Sequence, residues 1–148
     1  MLRQLLVGTA VSACNIGIHA LVMTAVVRVA RRVTAKETPG QARLLAVMIA
    51  TVSVLMLAHT AEVGVWALAY ALVDAVPSGA DVLDFAFVNY TTLGYGNVVP
   101  VERWRLLGPM TAMNGVLMFG WSTAVIYDVL RTVAQVIPIG STPHQPTH

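Results

Sequence analysis

Three long stretches of the chain are dominated by apolar residues, and each is bounded by polar, basic or helix-breaking residues. A bilayer core is crossed by a helix of about 20 largely apolar residues. Residues 4–30, 43–73 and 106–137 are therefore expected to be three membrane-spanning helices. Residues 80–91 form a shorter apolar stretch, too brief to cross. Asp81 and Asp84 suit the positive N-terminal end of a short helix there. That stretch follows the break Asp74-Ala75-Val76-Pro77-Ser78-Gly79 and runs directly into Thr91-Thr92-Leu93-Gly94-Tyr95-Gly96. A helix that stops inside the membrane and turns back is tolerated only where protein or a water-filled path surrounds it. Residues 138–148 are rich in Pro, Ser, Thr and His with no periodicity, and disorder is expected there.

Composition agrees with a membrane class. Only 11% of residues are charged, against about 25% in a soluble domain. The single cysteine, Cys14, allows no intrachain disulfide. Val11-Ser12-Ala13-Cys14 resembles a lipoprotein cleavage box, but the apolar run continues to Ala30, so an uncleaved span is expected. No Lys/Arg block is interleaved with aromatics, which argues against a nucleic-acid partner. No nucleophile–base constellation and no specific metal motif occurs, so neither an enzyme nor a cofactor is expected.

Charge then orients the spans. Arg28, Arg31, Arg32, Lys36 and Arg43 flank the link at 33–42, against one acid, Glu37. That places the link in the cytoplasm, with the N-terminus outside and the C-terminus cytoplasmic in a multi-pass cell-membrane protein. The arginine cluster reads as an anchor, because voltage-sensing arginines recur through a span rather than gather at its end. Trp66 and Tyr70 are expected at the outer interface, where aromatic belts sit.

A few polar groups fall inside the spans. His59 and Glu62 are three apart and share a helix face, and His19 lies at similar depth. Ionisable groups there are costly and face protein or a cavity. The plainer expectation is a buried interhelical hydrogen-bonded group; metal binding or proton sensing is the sharper alternative. Asn114 is expected to bond to the back of the short helix or of the TTLGYG stretch, and Asp128 can pair with Arg131. Gly115 and Gly120 are hinge candidates in the third span.

The order outer helix, short helix, TTLGYG, Pro100, Trp104, inner helix resembles the two-helix-plus-pore-loop unit of tetrameric potassium channels, over about residues 43–135. The resemblance implies an all-α membrane protein with three transmembrane helices, a re-entrant pore helix and a selectivity-filter strand. It divides the chain into an N-terminal helix and link (1–42), a pore unit (43–137) and a tail (138–148). It implies passive K⁺ conduction by a homotetramer in the lipid bilayer, with K⁺ on the backbone carbonyls of Thr92, Leu93, Gly94 and Tyr95 and on the Thr92 hydroxyl. Thr91, Gly96, Asn97, Val88 and Asn114 would support the filter, and Leu117, Gly115, Gly120 and Ala124 would line or gate the cavity. The chain departs from the family pattern at Asn97, usually Asp, at Val88, in some members Glu, and at Asp84 and Phe85, where Trp is common. Those departures motivate a weakly selective cation channel as an alternative. A non-conducting sensor built on His19, His59 and Glu62 is a second.

Overall fold

The computed structural model describes residues 1–34, 40–94 and 98–134. Helix α1 is Leu2–Thr34, α2 is Gln41–Leu72, α3 is Val82–Tyr90 and α4 is Leu107–Ala134, with a single 3₁₀ turn at Glu102–Trp104. Among the described residues, three helical segments are long and apolar enough to cross a membrane: Leu2–Val33, Gln41–Leu72 and Glu102–Ala134. The all-helical class is as expected, and no β-strand occurs among the described residues. Residues 91–94 are a turn followed by irregular backbone. Residues 135–137 of the expected third span and the tail lie outside the described residues.

Local chemistry sets the helix ends. Asp81 caps α3 by accepting the Asp84 N–H at 2.8 Å, so the helix begins at Val82 rather than at residue 80. Arg31 and Arg32 lie in the last turn of α1, where cations complement the negative helix end. Helix α2 stops through a left-handed residue, Asp74 at φ 49°. The Asp74 N–H reaches the Ala71 carbonyl at 3.3 Å and the Ala75 N–H reaches Tyr70 at 3.0 Å. These paired bonds use carbonyls the helix would otherwise leave open.

Helices α1 and α4 run in the same direction, with α2 antiparallel to both. Contacts Gln4–Leu106, Asn15–Asn114 and His19–Ser122 advance together. Contacts Tyr70–Thr111, Trp66–Asn114 and His59–Ser122 run oppositely. The short α3 packs on α2 and α4 at one end of the bundle. The Val101 N–H donates to the Ala75 carbonyl at 2.9 Å, so the excursion carrying α3 leaves and returns at one point. At that end Arg3 of α1 stacks over the buried Trp104 ring at 5.3 Å, and Gln4 accepts the Leu106 N–H at 2.9 Å.

Two apolar clusters fill the interior. One gathers Trp66, Tyr70, Phe85, Tyr90, Trp104 and Leu107 around α3. The other holds Met23, Val26, Leu55, Val125 and Val129 towards the opposite end. Trp66 and Tyr70 are therefore not interfacial belt residues. Both are fully buried, because each ring is apolar on its faces and carries a polar group that finds a partner on α4. Asp128 sits 3.7 Å from Arg31 of α1. Its ion pair thus ties α4 to α1, where intrahelical pairing with Arg131 was expected.

Gly115 is not on a free face. It is buried, and a Cβ placed on it would collide with the Tyr90 carbonyl, so α4 crosses the end of α3 at backbone contact. Gly120 meets nothing within 4 Å. We expect Gly115→Ala to lower stability by about 1–3 kcal/mol through overpacking, while Gly120→Ala does not lower it. Thermal unfolding of the two purified variants in detergent checks this contrast.

Candidate functional site

The end of α3 delivers the chain to TTLGYG. The Thr91 N–H and hydroxyl both reach the Phe87 carbonyl, at 2.9 and 2.8 Å. Thr92 then takes φ 58°, and its N–H bonds the Asn89 carbonyl at 3.2 Å. The Leu93 N–H bonds the Val88 carbonyl at 3.1 Å. This is the same paired closure that ends α2, with threonine at the position glycine usually fills. Gly94 is left-handed as well, at φ 55°. A β-branched residue in that region is a true outlier, costing about 1–2 kcal/mol. Thr91 to Gly94 are all exposed, whereas Tyr95, Gly96 and Asn97 lie outside the described residues.

Around this stretch lies an open cleft of about 810 Å³, whose lining includes Asp84, Phe85, Val88, Thr92, Gly94 and Arg105. On α4, Met113, Leu117, Gly120, Ala124 and Tyr127 are exposed along one stripe. Thr111, Asn114, Gly115, Met118, Ser122 and Val125 form the buried face. Leu117, Gly120 and Ala124 thus share a free face, and Gly115 does not belong to it.

Behind the stretch sits a closed circuit of buried polar groups. Glu62 Oε1 lies 2.7 Å from His19 Nδ1, and Oε2 accepts the Tyr90 hydroxyl. His59 Nδ1 is 3.0 Å from the Tyr90 oxygen and 3.3 Å from Glu62 Oε2. Its Nε2 is 2.9 Å from Ser122 Oγ, which is 3.5 Å from His19 Nε2. The circuit takes one or two side chains from each of the four helices. Glu62 and His19 are wholly buried. Phe119 packs on His59 and Tyr90, and Trp121 on His19, with ring centroids 4.7–5.5 Å apart.

A second polar set adjoins it. Asn15 Nδ2 donates to the Glu62 carbonyl at 3.2 Å and to Asn114 Oδ1 at 3.1 Å. Trp66 Nε1 donates to the same Asn114 oxygen at 3.0 Å. Asn114 therefore joins α1 and α2 to α4, where a bond to the back of α3 or of the TTLGYG stretch was expected. Thr111 donates to the Leu107 carbonyl at 2.8 Å, so the Tyr70 hydroxyl is the donor in its 2.5 Å contact with Thr111.

The expected trio His19, His59 and Glu62 is brought together. Missed at the sequence level were Asn15, Tyr90 and Ser122. Asn15 carried a signal: it lies one helical turn before His19 in an apolar run. Tyr90 carried none, since an aromatic before a turn reads as ordinary packing. An interhelical hydrogen bond in a membrane contributes about 0.6–2 kcal/mol. We expect Tyr90→Phe to lose about that much. Glu62→Ala should lose more, because it strips the acceptor from His19 and Tyr90 together. Thr24→Ala, which removes only an exposed bond to Ala20 within α1, should lose least. Detergent unfolding curves of the three variants test the order.

A family model described as an ion channel matches residues 58–132, from the circuit through the TTLGYG stretch to the end of α4. No curated protein and no solved structure matches the chain.

Proposed function

The chain belongs to the ion-channel family, and we propose that it conducts K⁺ selectively and passively through a four-fold filter built from TTLGYG. It is a multi-pass membrane protein, and the activity is transport rather than chemical turnover. The supporting observation is the backbone at 92–94, left-handed at Thr92, not at Leu93, and left-handed again at Gly94. In a pleated strand successive peptide planes face opposite ways. Positive φ at every second residue breaks that alternation, as a filter whose carbonyls face one axis requires. Rings of such carbonyls replace the water around a dehydrated K⁺. Asp74 closes α2 in the same way, but at Thr92 the left-handed turn falls on a β-branched residue, and strain of that kind points to use.

The carbonyls of Thr92, Leu93, Gly94 and Tyr95, with the Thr92 hydroxyl, would hold the ion. They follow the negative end of α3, whose dipole favours a cation. One such unit encloses nothing, so closure needs rotational copies, and the proposed assembly is a homotetramer. The exposed stripe Met113, Leu117, Gly120, Ala124 and Tyr127 then faces the axis. The filter end of the bundle also carries the start of α1. Arg28, Arg31, Arg32 and Arg43 gather at the other end, which supports an outside N-terminus and a cytoplasmic C-terminus in the cell membrane.

Purified protein in liposomes should carry K⁺ flux above that of empty vesicles. Gly94→Ala, which forces a Cβ into the left-handed region at a cost of about 1–2 kcal/mol per subunit, should abolish it while the helices remain intact by circular dichroism. Absence of wild-type flux would overturn the channel reading, and equal Na⁺ and K⁺ flux would overturn selectivity.

A further inference from the structure

The buried circuit has a second property that conduction does not use. Both imidazoles present the same nitrogen to the same carboxyl group: His19 Nδ1 lies 2.7 Å and His59 Nδ1 3.3 Å from the two oxygens of Glu62. Both turn their other nitrogen to one hydroxyl, Ser122 Oγ, at 3.5 and 2.9 Å. The donor atoms of His19, His59 and Glu62 lie within 4.8 Å of one another. The Tyr90 oxygen, 3.0 Å from His59 Nδ1, stands beside them.

We propose that His19, His59, Glu62 and Tyr90 form a binding site for a divalent transition ion of the Zn²⁺ class. The donor set is two imidazoles and two oxygens, which suits zinc and its borderline-soft neighbours and not Ca²⁺ or Mg²⁺. Zinc holds such donors at about 2.0–2.2 Å. Tetrahedral neighbours are then about 3.3 Å apart, so the site closes on an ion by movements of an ångström or so. Metal-bound histidines donate their second ring N–H to a fixed acceptor, which sets the tautomer and aims the ligating nitrogen. In the metal-free circuit His19 donates Nδ1–H to Glu62; in an occupied site each imidazole would carry its proton on Nε2 instead, facing Ser122 Oγ as acceptor, and turn the Nδ1 lone pair to the ion.

Charge favours the same occupant. The Glu62 carboxylate offsets part of the charge of a 2+ ion, and the neutral Tyr90 oxygen, 3.0 Å from His59 Nδ1, stands as the fourth donor. The ligands come from α1, α2 and α3, with the Ser122 acceptor on α4, so an occupied site would clamp all four helices.

The test uses the full chain in detergent, freed of metal by chelation and then titrated with Zn²⁺ and separately with Co²⁺. The proposal expects about one ion per chain retained through desalting, a rise in thermal midpoint with Zn²⁺, and visible Co²⁺ bands of a four-coordinate nitrogen–oxygen site. His19→Ala and His59→Ala should remove the bands. Ser122→Ala, which keeps every ligand, should weaken binding about 10–100-fold. Cys14→Ser and the tail variant His144→Ala/His148→Ala should leave binding unchanged. Should the histidine variants fail to fold, the wild-type stoichiometry and Co²⁺ spectrum decide. No retained ion in wild type, or loss of binding in the Cys14 or tail variants, overturns the site. None of these readouts depends on which ion the pore passes.

Discussion

A carboxyl group with no access to water must be fully hydrogen-bonded, because leaving it bare in an apolar interior costs several kcal/mol. Glu62 is such a group, and its requirement organises the bundle. Its two oxygens take His19 from α1 and Tyr90 from α3, and His59 from its own helix passes the circuit on to Ser122 of α4. Its own backbone carbonyl takes Asn15 of α1. Every element of the bundle therefore contributes a side chain to one buried polar centre. Hydrophobic burial does not discriminate among helix faces when the surroundings are themselves apolar. Specific polar pairing does, and it sets which faces of these three spans meet.

The consequence for the pore runs through Tyr90. Its hydroxyl belongs to the circuit, its ring is buried, and its carbonyl touches Gly115 of α4. The last turn of α3 is thus held on three sides. Two residues later the chain adopts the left-handed turn at Thr92. A strained threonine persists only where its surroundings over-determine it, and the fixed end of α3 supplies that. The extra helix α1 is accordingly not an appendage to a two-helix pore unit. Its His19 and Asn15 are part of what positions the element leading into the TTLGYG stretch.

Much of this was legible in the chain. Spans and their approximate limits follow from uninterrupted apolar runs, and the acidic start of the short helix and the TTLGYG stretch are local signals. His19, His59 and Glu62 stood out because ionisable groups inside spans are rare. What could not be read was partner choice. Asn114 has polar neighbours available on several elements, and only the register of α1 and α2 against α4 gives it to Asn15 and Trp66. Trp66 and Tyr70 looked interfacial by spacing, yet their polar groups found partners inside. Asp128 had Arg131 within reach on its own helix, but the parallel packing of α1 brought Arg31 alongside. Gly115 and Gly120 look alike in sequence. The approach of the Tyr90 carbonyl separates them, and that is a property of the packed bundle.

In the proposed function this bundle presents the Thr92–Gly94 backbone as a K⁺-selective conductor. The most direct measurement is the reversal potential of purified wild-type protein in a planar bilayer with K⁺ on one side and Na⁺ on the other. Selective conduction predicts a reversal potential displaced strongly in the direction set by K⁺ permeation and following the K⁺ gradient as it is changed. A reversal potential that stays near zero with equal K⁺ and Na⁺ concentrations would contradict it.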